Sequence, residues 1–253
     1  MPVLFIGHGS PMNAIADNDF TRSLSKLGAE LPRPRSVLVV SAHWHTKSPL
    51  VNAAKNPEQI YDFFGFPPEL YAVKYPCPGA PDDAQMASRT TKFMISPTPE
   101  WGIDHAAWAI LKHIYPHADV PVFELGIDPN MDPRLHYDLG RQLAPLRRSG
   151  ILVIGSGNLV HNLRMMEYDM ESEPHDWAVE IDEKLKSLIL AGEHGALIQY
   201  RDLGRNMLLA APGSDHYVPL LYALALQETA DRVTFFHEGF QHGTISMRSL
   251  VIG

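Results

Sequence analysis

Three short runs of almost unbroken aliphatic residues constrain this chain more than any other feature: residues 3–6 (VLFI), 36–40 (SVLVV) and 151–154 (ILVI). A strand that is apolar at every position, rather than at every second one, is covered on both faces, which is the condition of a parallel sheet flanked by helices. Each run ends in a similar way. The first reaches Gly7-His8-Gly9-Ser10, the second Ser41-Ala42-His43-Trp44, and the third Gly155-Ser156-Gly157-Asn158 with His161 shortly after. Glycines let the backbone turn sharply there. Three histidines are therefore expected at the carboxyl rim of the sheet, where open α/β folds bind ligands.

The rest of the chain reads as scaffold for that rim. Apolar spacing predicts helices over 17–27 (Gly28 as the stop), 82–94, 106–115, 133–146 and 174–190, and a last one opening at Ala211-Pro212-Gly213 and running through Leu226. A further strand is expected over 120–125, and two β-type runs, 233–236 and 244–252, close the chain. Strands alternating with helices predict an α/β fold: one domain over 1–253, with a mostly parallel central sheet and helices on both faces. Residues 49–81 have little period but carry Tyr61, Phe63, Phe64, Phe66, Tyr71 and Tyr75 among prolines. Such a segment suits an aromatic lid over an apolar substrate as well as simple packing onto the sheet.

Charge and composition remove several function classes. A formal charge of -8 argues against nucleic-acid binding. The single cysteine, Cys77, allows no intrachain disulfide and suits a reducing compartment. No basic segment followed by an apolar one opens the chain, and no apolar stretch approaches the length of a membrane span, so a cytoplasmic protein away from membranes is expected. Familiar motifs also fail. Gly155-Ser156-Gly157 lacks the third glycine of a dinucleotide loop, where Val160 stands, and there is no GxxxxGK[ST] or GxSxG. His237-Glu238 with His242 is one residue too long for HExxH.

What remains is thirteen dispersed histidines. Imidazoles gathered from separate elements, without thiolates, suit Fe, Zn, Cu or Ni. His8 and His43 are the strongest candidates, since both end buried strands. His161 and His216 are each balanced between ligand and structural residue. His105 follows Asp104 at a helix start, where the local field favours a neutral ring able to accept a proton or donate an N–H. His45, His113, His117, His136, His175, His194, His237 and His242 read as surface or core, with His242 the first exception to consider.

GHGSPM, SAHW, WGIDHAAW, GSGNLVHNLR, SDHYVPLLYAL and GTISMRS, in this order, resemble the DOPA-type extradiol dioxygenases of the LigB-like class III ring-cleaving family. The resemblance runs from Gly7 to Ser249. It implies a LigB-like fold, one mononuclear non-haem metal per chain, and cleavage of a catechol such as L-DOPA at the 4,5 bond with O₂. It implies His8 and His43 as metal ligands, His161 as acid–base near the open coordination position, titrating near neutrality, and His105 as a substrate contact. His216 takes the place of the carboxylate of a 2-His-1-carboxylate face. Fe(II) is expected for dioxygenase activity; Zn(II) is plausible in the same site, with His161 then able to enter as a fourth metal ligand. Expected partners are the catechol and O₂, with oligomeric state left open. Two other readings stand beside it: a zinc-dependent hydrolase, or a non-enzymatic Memo-like metal-binding relative.

Overall fold

The three aliphatic runs lie side by side at the centre of one eight-stranded sheet, and the computed structural model describes all of residues 1–253. In chain order the strands are β1 (Val3–Gly7), β2 (Ser36–His45), β3 (Leu50–Asn52), β4 (Ser96–Thr98), β5 (Val122–Ile127), β6 (Ile151–Gly157), β7 (Val233–His237), β8 (Phe240–Gln241), β9 (Ile245–Ser246) and β10 (Ser249–Ile252). The sheet order is β4-β3-β5-β2-β6-β1-β10-β7, while β8 and β9 form a separate hairpin. The central block β5-β2-β6-β1 is parallel throughout; β10 and β7 add antiparallel pairs at one edge.

The helices are α1 (Asp19–Glu30), α2 (Pro68–Ala72), α3 (Pro81–Thr90), α4 (His105–Ile114), α5 (Pro133–Gln142), α6 (Ala144–Arg148), α7 (Asp176–Leu190), α8 (His194–Ile198), α9 (Arg205–Ala210) and α10 (Val218–Ala225). They make two cores, one on each face of the sheet. Val3, Phe5, Leu38, Val40, Ile151 and Val153 face the core shared with α5, α7 and α10. Leu4, Ile6, Val37, Val39, Leu152 and Ile154 face the one shared with α1 and α4. Side chains alternate across a strand, so each run must be apolar at every position to serve both. No helix is long and apolar enough to cross a membrane.

Several boundaries differ from the sequence reading, each for a local reason. Helix α1 continues through Gly28 to Glu30. A Cβ at Gly28 would lie 2.2 Å from the Ile114 carbonyl oxygen, so this glycine allows α1 to approach α4 rather than ending a helix. The helix expected over 82–94 stops at Thr90, because Thr91 turns extended and its hydroxyl accepts from Phe93 N–H. The helix expected over 133–146 is two, divided at Leu143 with Pro145 in the first turn of the second, where its missing N–H costs nothing. The run 244–252 is broken at Met247-Arg248, since the buried Arg248 Nε donates to Asp182 Oδ2 of α7 at 2.7 Å. The aperiodic stretch 49–81 contains β3 and α2.

Ala exceeds Gly in helix propensity by about 1 kcal/mol, so Gly28→Ala would stabilise an unobstructed helix. Here the approach to Ile114 reverses the sign. Urea denaturation should register a loss of about 1–3 kcal/mol, the usual penalty of an overpacked contact. A gain in stability would refute this account of α1–α4 packing.

Candidate metal centre

Strand β6 lies between β1 and β2, with Gly7 opposite Gly157 and Ser41 opposite Ser156. Any group carried by β1 and any carried by β2 can meet only across the end of β6. That end is Gly155-Ser156-Gly157, small enough to leave the space open. A Cβ on Gly157 would stand 2.1 Å from the His216 carbonyl oxygen, and Asn158 N–H donates to that same oxygen at 2.9 Å. Bare backbone at the strand end thus seats the turn that carries His216.

Three rings converge over this floor. His8 comes from just past β1, His43 from β2, and His216 from the turn before α10. One ring nitrogen from each lies within 4.8 Å of the others. His8 Nε2 and His43 Nε2 are 3.1 Å apart. Hydrogen-bond partners settle the tautomers. Ser156 Oγ donates to the Ala106 carbonyl oxygen at 2.6 Å, so towards His8 Nδ1, 3.1 Å away, it accepts. His43 Nδ1 faces Asp62 Oδ2 at 3.0 Å, and His216 Nδ1 faces Asp215 Oδ2 at 2.8 Å. All three rings therefore carry their proton on Nδ1 and aim an Nε2 lone pair inward.

Two ring nitrogens 3.1 Å apart repel unless a proton or a metal ion lies between them. Two ligands about 2.1 Å from one ion at 90–109° would be about 3.0–3.4 Å apart, which matches. His216 Nε2 is buried with no hydrogen-bond partner, the mark of a donor atom awaiting an ion. The donor set fits one divalent transition metal, and the carboxylates and hydroxyl behind the rings supply the usual orienting contacts. A second group, His43, Asp62 and His105, also brings three potential ligand atoms within 4.8 Å. Its contacts are N–H donors on a carboxylate, which need no cation.

Burial first, and then neighbouring histidines, hold His8 and His216 well below the usual imidazole range. Burial also leads in lowering His105, with His43 adding to it against the pull of Asp62. At His43 the burial penalty is outweighed by Asp62 and Asp104, and its pKa is raised. Burial would push Asp62 up, but the bonds from His105 and His43 keep it well below the usual carboxylate range.

His161 lies face to face with His216, ring centroids 3.5 Å apart and planes 5° from parallel. It is outside the converging trio. Burial pushes its pKa down to about 4, a neutral ring rather than the near-neutral titration expected. His105, the first residue of α4, meets His43 at a 4.1 Å ring distance. His242 is half-buried away from the trio, its ring against the Glu167 carbonyl, and Glu238 pairs with Lys186 and Arg248. His136, among those read as structural, is fully buried between Tyr222 Oη and the Asp128 carbonyl. The aromatic segment mainly packs, Tyr61, Phe63, Phe66 and Tyr71 interleaving beside Trp108, with Phe63 also edge-on to His105 at 5.5 Å.

Sequence reading missed the acids behind the rings. Asp62 sits in an aperiodic loop between two aromatics. Glu124 is hidden in the apolar run of β5. Its Oε1 accepts from Asp104 N–H at 2.8 Å and its Oε2 from Trp101 Nε1 at 3.0 Å. Burial, reinforced by Asp104, pushes its pKa well above the usual carboxylate range. Asp104 caps α4 through Ala106 N–H and accepts from Ser41 Oγ, tying the start of α4 to β2 and β5.

Residues 2–253 match the family described as the catalytic LigB subunit of aromatic ring-opening dioxygenase. The chain is 42% identical to the 4,5-DOPA dioxygenase extradiol of Escherichia coli K12, over 100% of this chain and 95% of that protein. It is 33% identical to the 4,5-DOPA dioxygenase extradiol of Beta vulgaris, over 97% and 94% of the two chains. The crystal structure of an uncharacterized Escherichia coli K12 protein superposes with a TM-score of 0.87 at 38% identity, covering 100% of both chains. The dioxygenase reading is thereby favoured over the hydrolase and Memo-like readings.

Zn(II) returned to chelator-treated protein should bind one equivalent per chain and raise Tm. At a hundredfold excess over Kd the gain is about 2.7 kcal/mol, or roughly 5–10 °C for a chain of this size. His8→Ala, His43→Ala and His216→Ala should each abolish the shift, and His161→Ala should keep it. A shift surviving in His216→Ala, or lost in His161→Ala, would redraw the ligand set.

Proposed function

We propose that this chain, which belongs to the LigB family of aromatic ring-opening dioxygenases, opens a catechol bearing an amino-acid or similar side chain, such as L-DOPA, at the 4,5 bond. It is an extradiol dioxygenase. The observation that carries the reading is the convergence of three inward Nε2 lone pairs beside two further histidines. Relatives from a bacterium and a plant bear the name 4,5-DOPA dioxygenase extradiol, which supports the substrate class.

His8, His43 and His216 would hold the metal. A bound Fe(II) supplies acidification of the two catechol hydroxyls and an electron route from ring to O₂. The same trio accepts Zn(II), which lacks redox chemistry. His161 is the acid–base: its neutral ring, stacked on His216, takes a hydroxyl proton and returns it to the oxygen that leaves as the ring opens. His105 contacts the substrate oxygens through Nε2, since its Nδ1 is engaged by Asp62 at 2.7 Å. Phe63, edge-on to His105, offers an apolar wall for a flat ring. The one cysteine, Cys77, is free and buried, in keeping with work in the reducing cytoplasm.

The decisive assay supplies ¹⁸O₂ to Fe(II)-loaded protein with L-DOPA and reads the product by mass spectrometry. Both labelled atoms should enter the ring-opened semialdehyde acid, apart from exchange at the aldehyde, with one O₂ consumed per ring. Tyrosine, a monophenol, should be inert, and zinc-loaded protein silent. His161→Ala should lower kcat by about 10²–10⁴-fold. His105→Ala should mainly raise KM. A folded Fe(II) protein that opens no catechol would overturn the substrate reading.

A further inference from the structure

We infer that Asp62 is a positioning residue shared by the metal ligand His43 and the substrate contact His105, fixing both rings through one carboxylate. The inference rests on the roles proposed above for those two histidines. Asp62 Oδ2 lies 3.0 Å from His43 Nδ1 and 2.7 Å from His105 Nδ1. Its other oxygen, Oδ1, accepts from the His105 backbone N–H at 3.0 Å. Both carboxylate oxygens are thus spent on donors from these two residues.

The loop around Asp62 is built to place it. Tyr61 and Phe63 turn to the side of Trp108, with ring distances of 5.6 and 6.0 Å, while Asp62 between them turns to the histidines. Tyr61 Oη donates to the Val73 carbonyl at 2.6 Å, pinning the loop at a second point. The aromatic segment therefore holds an acid at the site as well as packing on α4.

An acceptor-only group leaves its partners no choice. With Asp62 ionised, both rings must present Nδ1–H to it, so His43 turns its Nε2 lone pair to the metal and His105 turns its Nε2 lone pair to the substrate. Asn at this position offers one acceptor and one donor. If its oxygen keeps the His105 backbone N–H, its NH₂ faces two Nδ1 atoms and drives both protons to Nε2, which blocks ligation by His43. If it flips, the NH₂ meets the backbone N–H, donor against donor.

The test measures metal affinity and catalysis separately in Asp62→Asn. Co(II) or Zn(II) affinity, by chelator competition, should fall by about 10–100-fold. At saturating Fe(II), KM for the catechol should still be raised several-fold, through His105. A merely structural acid would lower Tm and leave both quantities unchanged once the metal site is filled. Wild-type affinity together with wild-type KM would overturn the inference. Where Asp62→Asn does not fold, ¹⁵N-histidine spectra of wild-type zinc-loaded protein decide: His105 on the Nδ1–H tautomer supports the inference, and Nε2–H overturns it. Affinity and tautomer are read with no catechol present, so a failed turnover assay would count against the substrate and not against Asp62.

Discussion

Two ring nitrogens facing each other at 3.1 Å, inside a protein, are an arrangement that needs a proton or a metal ion between them. Much else at this rim exists to hold the arrangement in place. Each inward Nε2 requires its ring's Nδ1–H to be occupied, and each is, by Ser156, Asp62 or Asp215. Those partners are in turn fixed: Ser156 by the Ala106 carbonyl of α4, and Asp62 by the His105 backbone. Removing a holder frees a tautomer, so the site is specified as much by its hydrogen-bond acceptors as by the rings themselves.

Sheet order explains why the three converging rings come from where they do. Neighbouring strands are about 4.8 Å apart, so β1 and β2, separated by β6, stand about 10 Å from each other. Imidazoles lean inward from that separation only if the middle strand ends without bulk. Gly155-Ser156-Gly157 meets the requirement and places one hydroxyl where His8 needs it. Helix α10 then packs over β6 so closely that a Cβ on Gly155 would reach the Pro219 carbonyl at 2.2 Å, which brings the preceding turn and His216 to the same point.

This much was legible in the sequence, because runs apolar at every position with glycine or serine ends carry both fold class and rim. The histidines at those ends followed from position. Asp62, Glu124 and the α1–α4 contact at Gly28 were not legible, for different physical reasons. Asp62 lies in a loop without period, so no pattern assigns it a direction. Glu124 occupies a buried strand position, where only the neighbouring Asp104 N–H and Trp101 N–H show why an acid belongs. Gly28 sits where a helix stop and a helix–helix contact leave the same letter. Asp215, adjacent to His216 in a quoted motif, was in plain view, but nothing local says that its carboxylate turns back onto the next residue's ring.

The charge balance bears on which metal the site serves. A 2-His-1-carboxylate face gives a divalent ion one anionic ligand, whereas three imidazoles give none. Here the negative charge is one bond further out, with Asp62 behind His43 and Asp215 behind His216. Two carboxylates against one divalent cation bring the assembly to formal neutrality without an oxygen ligand from the protein. Each carboxylate polarises its imidazole, strengthening the Nε2 donor toward a cation without occupying a place on it. A neutral trio also suits zinc, so the ligand set by itself does not favour iron. Beside the trio stand two further imidazoles, His105 and His161, which a structural zinc would not require.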